Sequence, residues 1–258
     1  MNLLRASENR FVAVNDDGTT AGVATISRLN LERIFEDRPI QYEINVKSDE
    51  EAKVLLLSAA ATRARFLWEQ DGKTSRVYAV LDPEDKTALE AVRMMGFKRY
   101  DGIVRMRKPI NVKGVDTRLQ PGFTRINDRL GNPEELRKCV RRYNDCFGHD
   151  VKPKSFMEII NKPDFVRMMV VNDRGLCGEL LAWTQGNTGV IGVIQTAREY
   201  RRMGIASALV ESARKYFEEL GMDFMSFDMW RAAPGNRALA ENAGFTEYKV
   251  LTLYPEMV

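Results

Sequence analysis

The densest chemical signal in the sequence is the run Arg201-Arg202-Met203-Gly204-Ile205-Ala206. A β-branched segment, Val190 to Thr196, leads into it, and Ile205, Leu209, Ala213, Tyr216, Phe217 and Leu220 follow at helical spacing. The order is therefore strand, glycine turn, helix. The first turn of such a helix has free backbone N–H groups and the positive end of the helix dipole, which suits an anion and a phosphate best. Gly204 lets the backbone come close, Ala206 is small, and Arg201 and Arg202 add charge at the rim, so main-chain donors would cradle a pyrophosphate. Neither a Walker lysine nor a dinucleotide glycine fingerprint accompanies the turn.

Groups able to move protons are few. Glu179 and Asp228 fall inside predicted strands, Cys-Gly-Glu-Leu-Leu and Ser-Phe-Asp-Met-Trp. A carboxylate there must find water, a partner or a raised pKa, so each is a general-base candidate by position, and each equally suits a solvated sheet face. His149 is the only histidine; its ordinary pKa suits proton transfer, although a loop histidine is commonly just solvent-exposed. Trp183 and Trp230 would either wall an apolar acceptor pocket or pack in a core. Cys139, Cys146 and Cys177 are odd in number and lack a metal-ligand spacing, which argues against a structural zinc or a disulfide framework and predicts no metal.

The bulk composition bounds the partners. With 258 residues the chain suits two small α/β domains, and 44% hydrophobic content supports real cores. Lysine and arginine outnumber acids by only 39 to 36 and are dispersed, so the expected partners are small molecules, with no nucleic acid and no membrane. No apolar run is long enough to span a bilayer, and residues 1–10 lack the apolar core of a signal peptide, which predicts a cytoplasmic protein.

The elements that must position these groups divide in two. In the first half, Arg10 to Val14 and Thr20 to Ile26 read as a hairpin, Gln41 to Val46 as a strand, Asp49 to Gln70 as a helix ended by Gly72, and Arg76 to Leu81 as a strand. A helix capped by Asp85 then stops at Gly96-Phe97, and Arg99 to Lys108 runs on extended. Lys108 to Gly122, with Pro109, Gly114, Pro121 and Gly122 and little apolar periodicity, reads as the connecting stretch, with residues 111–122 as the linker proper. Beyond it Asn132-Pro133-Glu134-Glu135 opens a helix and Pro153 to Ile160 forms a second; Phe165 to Val171 and Cys177 to Trp183 make a hairpin. Strand Met225 to Trp230, helix Asn236 to Asn242 and strand Glu247 to Leu253 close the chain. The segments Lys86 to Phe97 and Pro234 to Phe245 both read as a short helix ending in Gly-Phe, which marks an internal repeat. The segment matching the phosphate turn in the first copy holds Asp49, Glu50 and Glu51 and has no glycine, so it would repel phosphate.

The pattern Arg201-x-x-Gly204-x-Ala206, widened to Glu199-Tyr200-Arg201-Arg202-Met203-Gly204-Ile205-Ala206 and joined by Asn242-Ala243-Gly244-Phe245, resembles the coenzyme A pyrophosphate loop and the later helix end of the GNAT acyltransferase superfamily. The order of elements over residues 123–258 resembles the GNAT fold as well. The resemblance implies an α/β (α+β) protein of two tandem GNAT-like domains, each a mixed, mostly antiparallel sheet flanked by helices. The first, residues 1–110, is truncated and without a phosphate loop; the second, residues 123–258, binds acyl-CoA. It implies acetyl-CoA as cosubstrate, held by the backbone of Val193, Ile194, Gln195 and Thr196 and by Arg201, Arg202, Met203, Gly204, Ile205, Ala206 and Ser207. The reaction would be direct attack of a primary amine of a small molecule or peptide on the thioester, by a monomer or weak dimer. His149 falls in a segment that often lines the acceptor site, with Trp183 and Trp230 as further acceptor-site candidates. The sequence departs from the family where chemistry matters most. The usual tyrosine acid is replaced by Ala240, with Tyr248 a substitute candidate, and Gln195 and Thr196 stand where some members place a glutamate, leaving Glu179 and Asp228 as candidate bases. A noncatalytic acyl-CoA sensor or scaffold is the alternative that these departures raise.

Overall fold

A computed structural model describes the chain except residues 33, 115–117, 148–150 and 258. It divides into two compact units: Met1–Ile103 with Trp230–Ala232 and Val250–Val258, and Val104–Met229 with Ala233–Lys249. Each unit thus takes in residues that a cut at 111–122 would assign to the other half.

In the first unit, β1 (Asn2–Ser7), β2 (Arg10–Val14), β3 (Thr20–Asn30) and β4 (Ile40–Ser48) form an antiparallel run. β4 then pairs in parallel with β5 (Ser75–Ala79), from Ile40–Ser75 to Ile44–Ala79. The intervening crossover is α1 (Glu50–Asp71), whose alanine-rich inner face of Ala52, Leu56, Leu57, Ala60, Ala61 and Ala64 lies close on the sheet. Its end is set by Gly72, at φ 71°. α2 (Lys86–Met94) starts on Asp85, whose side chain accepts from the Ala88 N–H at 3.0 Å. Beside β5 lies the end of the last strand of the chain, paired at Leu81–Leu253 and Tyr78–Glu256.

The first unit also holds a buried ionic cluster. Arg76 is 2% exposed and meets Asp101 at 3.0 Å and Glu256 at 3.2 Å. Its guanidinium lies over the rings of Phe35, Tyr78 and Trp230. The Trp230 indole N–H donates to Asp101.

The second unit contains β7 (Thr124–Asp128), α3 (Pro133–Phe147), α4 (Pro153–Ile160), β8 (Val166–Asn172), β9 (Gly175–Gln185), β10 (Thr188–Thr196), α5 (Ile205–Glu219), most of β11 (Phe224–Trp230) and α6 (Pro234–Asn242). It also holds the end of β6 (Phe97–Pro109) and the start of β12 (Thr246–Met257). The sheet runs β11-β10-β9-β8-β7, antiparallel except for the parallel pair β10–β11 that the α5 crossover requires. Gly189 makes that crossover fit: a Cβ there would lie 2.2 Å from the Phe217 ring of α5. On the opposite sheet face α3 and α4 pack Cys139, Val140 and Phe156 against Leu181 and Val193.

Candidate functional site

The site grows out of one irregularity in β10. Its parallel register with β11 runs from Thr188–Phe224 to Ile191–Phe227 and stops there, while β10 stays paired with β9 as far as Thr196. A bulge at Gly192 marks the change. The glycine is required because a Cβ would stand 1.9 Å from the Trp183 ring. Beyond the bulge, among the described residues, Val193, Ile194, Gln195 and Thr196 have a strand partner on the β9 side only. That leaves one edge of the backbone open to a ligand.

The chain then turns. The Ala197 N–H donates to the Cys177 carbonyl at 2.9 Å, and a single 3-10 turn, Arg198–Tyr200, follows. Tyr200 is held at its hydroxyl by Asn172 Nδ2 (3.2 Å) and at its ring by an edge-to-face contact with Phe123. Arg202 at φ 65° and Gly204 at φ 78° reverse the backbone, and Gly204 becomes the N-cap of α5 with no capping side chain. Among the described residues no backbone acceptor takes the N–H groups of Gly204, Ile205, Ala206 or Ser207. Among the described residues, four donors at the positive end of a fifteen-residue helix are therefore left without a backbone acceptor. Ile205 anchors this end; a Cβ on Gly178 would come within 2.8 Å of it. Arg201 and Arg202 are exposed, and Met203, Gly204, Ala206 and Ser207 are half-buried. At the end of β10 the Thr196 hydroxyl oxygen is buried without a hydrogen-bond partner.

Below the open strand lies a saturated carboxylate. Glu179 is fully buried and sits opposite Gln195 in the β9–β10 register. It accepts from Arg142 Nε and Nη2 at 2.6 and 2.9 Å, from Arg167 Nε at 3.0 Å and from Gln195 Nε2 at 2.5 Å. Arg167, 2% exposed, also approaches Asp128 (3.3 Å) and Glu135 (3.5 Å). Burial and the Glu179 charge push the neighbouring Cys139 thiol up to about 12, so it stays protonated and is no nucleophile near neutral pH.

The other candidates do not gather here. Asp228 is half-exposed on β11 and forms a two-point ion pair with Arg105, at 2.7 and 2.8 Å. Tyr248 is 61% exposed on β12, with the Arg107 guanidinium 4.7 Å from its ring centre. Trp183 is buried under Lys162, whose ammonium lies 3.9 Å from the ring centre. Trp230, for which the sequence left an acceptor-pocket wall or core packing open, lies in the first unit, where Phe35, Tyr78 and Tyr254 surround it and Asp101 takes its N–H. His149 lies outside the described residues. Ala240 is fully buried. Arg142 and Arg167 were not singled out from sequence; the one local signal was a charged residue inside the apolar strand Phe165 to Val171. No group of three or more metal-ligating side chains, and no helix long and apolar enough to cross a membrane, occurs among the described residues.

A strand pair that parts at a bulge, next to a glycine-capped helix end with open donors, belongs to the fold of the GNAT N-acetyltransferases. Residues 133–245 match the model of the acetyltransferase (GNAT) family. Solved structures of similar fold include a GCN5-related N-acetyltransferase from Sphaerobacter thermophilus (TM-score 0.55, 17% identity, covering 97% of this chain and 81% of that one). They also include a tandem GNAT protein from the clavulanic acid biosynthesis pathway (TM-score 0.51, 12% identity, 95% and 81% coverage). A third is a GCN5-related N-acetyltransferase from Anabaena variabilis (TM-score 0.51, 11% identity), of which this chain covers 62%. No curated protein matches the chain in sequence. The fold supports acyl transfer in general.

Proposed function

We propose that the protein transfers an acetyl or short acyl group from a coenzyme A thioester to a primary amine of a small molecule or peptide. The observation that carries this reading is the α5 end at Gly204: among the described residues, four N–H groups without a backbone acceptor beside a strand whose outer edge has no strand partner. A pyrophosphate needs many donors and close backbone approach, and the turn Arg201 to Ser207 offers both. The free edge of Val193 to Thr196 suits an amide-bearing pantetheine arm, which pairs as an added strand would. The amine nitrogen then bonds to the acyl carbon as the carbon–sulfur bond breaks. Amide and free thiol result, and the proton of the ammonium passes to solvent. A dedicated acid is dispensable because an ordinary thiolate has a pKa of about 8.5.

The chain's own residues divide the work unevenly. Glu179 already accepts four hydrogen bonds from cationic and amide donors, so it is better suited to fix geometry than to take a proton. Asp228 retains the exposure a base needs, but Arg105 must release it. Tyr248 is exposed enough to act as an acid. In the first unit the helix that follows the parallel strand β4 begins Asp49-Glu50-Glu51, with Lys53 bonded to Glu50 and Asp85. We read that half as a degenerate GNAT-like domain that binds no phosphate.

The test is calorimetric titration with acetyl-CoA. Wild type is expected to bind with micromolar affinity and Gly204→Glu to lose binding while keeping its circular dichroism; equal binding by both removes the site from this turn. A noncatalytic acyl-CoA sensor is favoured by the saturated Glu179 and the buried Ala240. It predicts binding without amine-stimulated thiol release.

A further inference from the structure

Among the described residues, Gln195 is the one polar side chain that links the buried charge cluster to the part of β10 beyond its pairing with β11. Its amide orientation is dictated from below. Glu179 lies between the Arg142 and Arg167 guanidinium groups and accepts from both, and the amide turns its NH₂ group down to it, at 2.5 Å. The carbonyl oxygen Oε1 is left facing the other way. Among the described residues no donor reaches it, and it is not among the buried unpartnered atoms, so solvent does. Gln195 lies three residues past the bulge, on the stretch of β10 that has left β11.

We propose that Gln195 Oε1 is the acceptor that seats the incoming amine, and that Glu179 is a positioning residue acting through it. This rests on the acyl-transfer reading above. The chemistry explains why an amide stands here. A glutamate at 195 would face Glu179 across a hydrogen-bond distance, and two carboxylates so close cannot both ionise. A neutral carbonyl takes one N–H of the amine without the strong preference for the ammonium form that a carboxylate would impose, so the amine is held and still loses its proton. Arg142 and Arg167 hold the Glu179 carboxylate in place, and its hydrogen bond from Gln195 keeps the Gln195 oxygen pointing away.

The experiment measures thiol release from acetyl-CoA with ethylamine as the probe, alongside acetyl-CoA binding by calorimetry. Gln195→Leu keeps the volume and removes the oxygen. It is expected to raise the KM for ethylamine about tenfold or more, the weight of one hydrogen bond to a charged or polarised partner, with kcat and the acetyl-CoA Kd changed less than about twofold. Glu179→Gln frees the amide to flip and is expected to raise the same KM, again sparing the acetyl-CoA Kd. An unchanged ethylamine KM in Gln195→Leu overturns the assignment and leaves the acyl-transfer reading standing. Acetyl-CoA binding by wild type without thiol release overturns the assignment and favours the sensor. Failure of wild type to bind acetyl-CoA removes both.

Discussion

At the scale of single residues, the strongest constraints come from groups that have no freedom. Gly204 at φ 78° holds a conformation that other residues adopt only under strain. Gly204→Ala is expected to cost about 1 kcal/mol in urea unfolding and to weaken acetyl-CoA binding far less than Gly204→Glu, which separates backbone strain from charge. Lys108 is a second such group. It is 1% exposed, donates to the Ala243 carbonyl at 2.7 Å, and burial lowers its ammonium from 10.5 to about 8. A lysine with a depressed folded value binds fewer protons folded than unfolded, so stability rises as pH increases from about 8 to 10.5, and the penalty is fully present below 8. Lys108→Met is therefore expected to be more stable than wild type at pH 7 by about 1–2 kcal/mol, after the lost hydrogen bond is subtracted. Urea melts at pH 7 and 10 test this; the advantage should vanish at the higher pH.

At the scale of elements, the parting of β10 from β11 depends on small residues under large ones. Gly189→Ala drives a methyl into the Phe217 ring and is expected to cost about 2–3 kcal/mol, measured as a shift in urea midpoint at unchanged slope. Arg167→Met leaves Glu179 with fewer partners in a fully buried place, and about 3–5 kcal/mol should be lost. What could be read from sequence follows the same division. β10, the glycine turn and α5 were legible because strand composition, a positive-φ residue and helical periodicity are local. α4 came out at Pro153–Ile160 for the same reason, proline being favoured at a first helical position. β1 was not foreseen, since all six of its residues are exposed and leave no alternation to detect. The four-donor environment of Glu179 was hidden because Arg142 comes from a helix 37 positions away. Spacing marks a carboxylate as buried but does not say what meets it.

At the scale of the whole molecule, neither unit is a continuous piece of chain. β12 extends past the expected end at Leu253 to Met257, through Pro255, because its partner there is β5 of the first unit, a pairing no local pattern reveals. Met257 joins the first unit's apolar core, and Glu256 binds Arg76 and Arg38. Removing residues 250–258 is expected to strip hydrogen-exchange protection from β4 and β5 while sparing β8 and β9. Loss of protection in all four strands alike would show that the units do not unfold separately.

The same arrangement sets a timetable for synthesis. A ribosome delivers the chain from its N-terminus, yet Val250–Val258, which completes the first unit, emerges after every residue of the second. Until then β5 waits with one side unpaired and Arg76 lacks the carboxylate of Glu256. The unit begun first is thus completed after the other, and pulse-labelled amides of β5 should gain protection only once residues 250–257 have emerged.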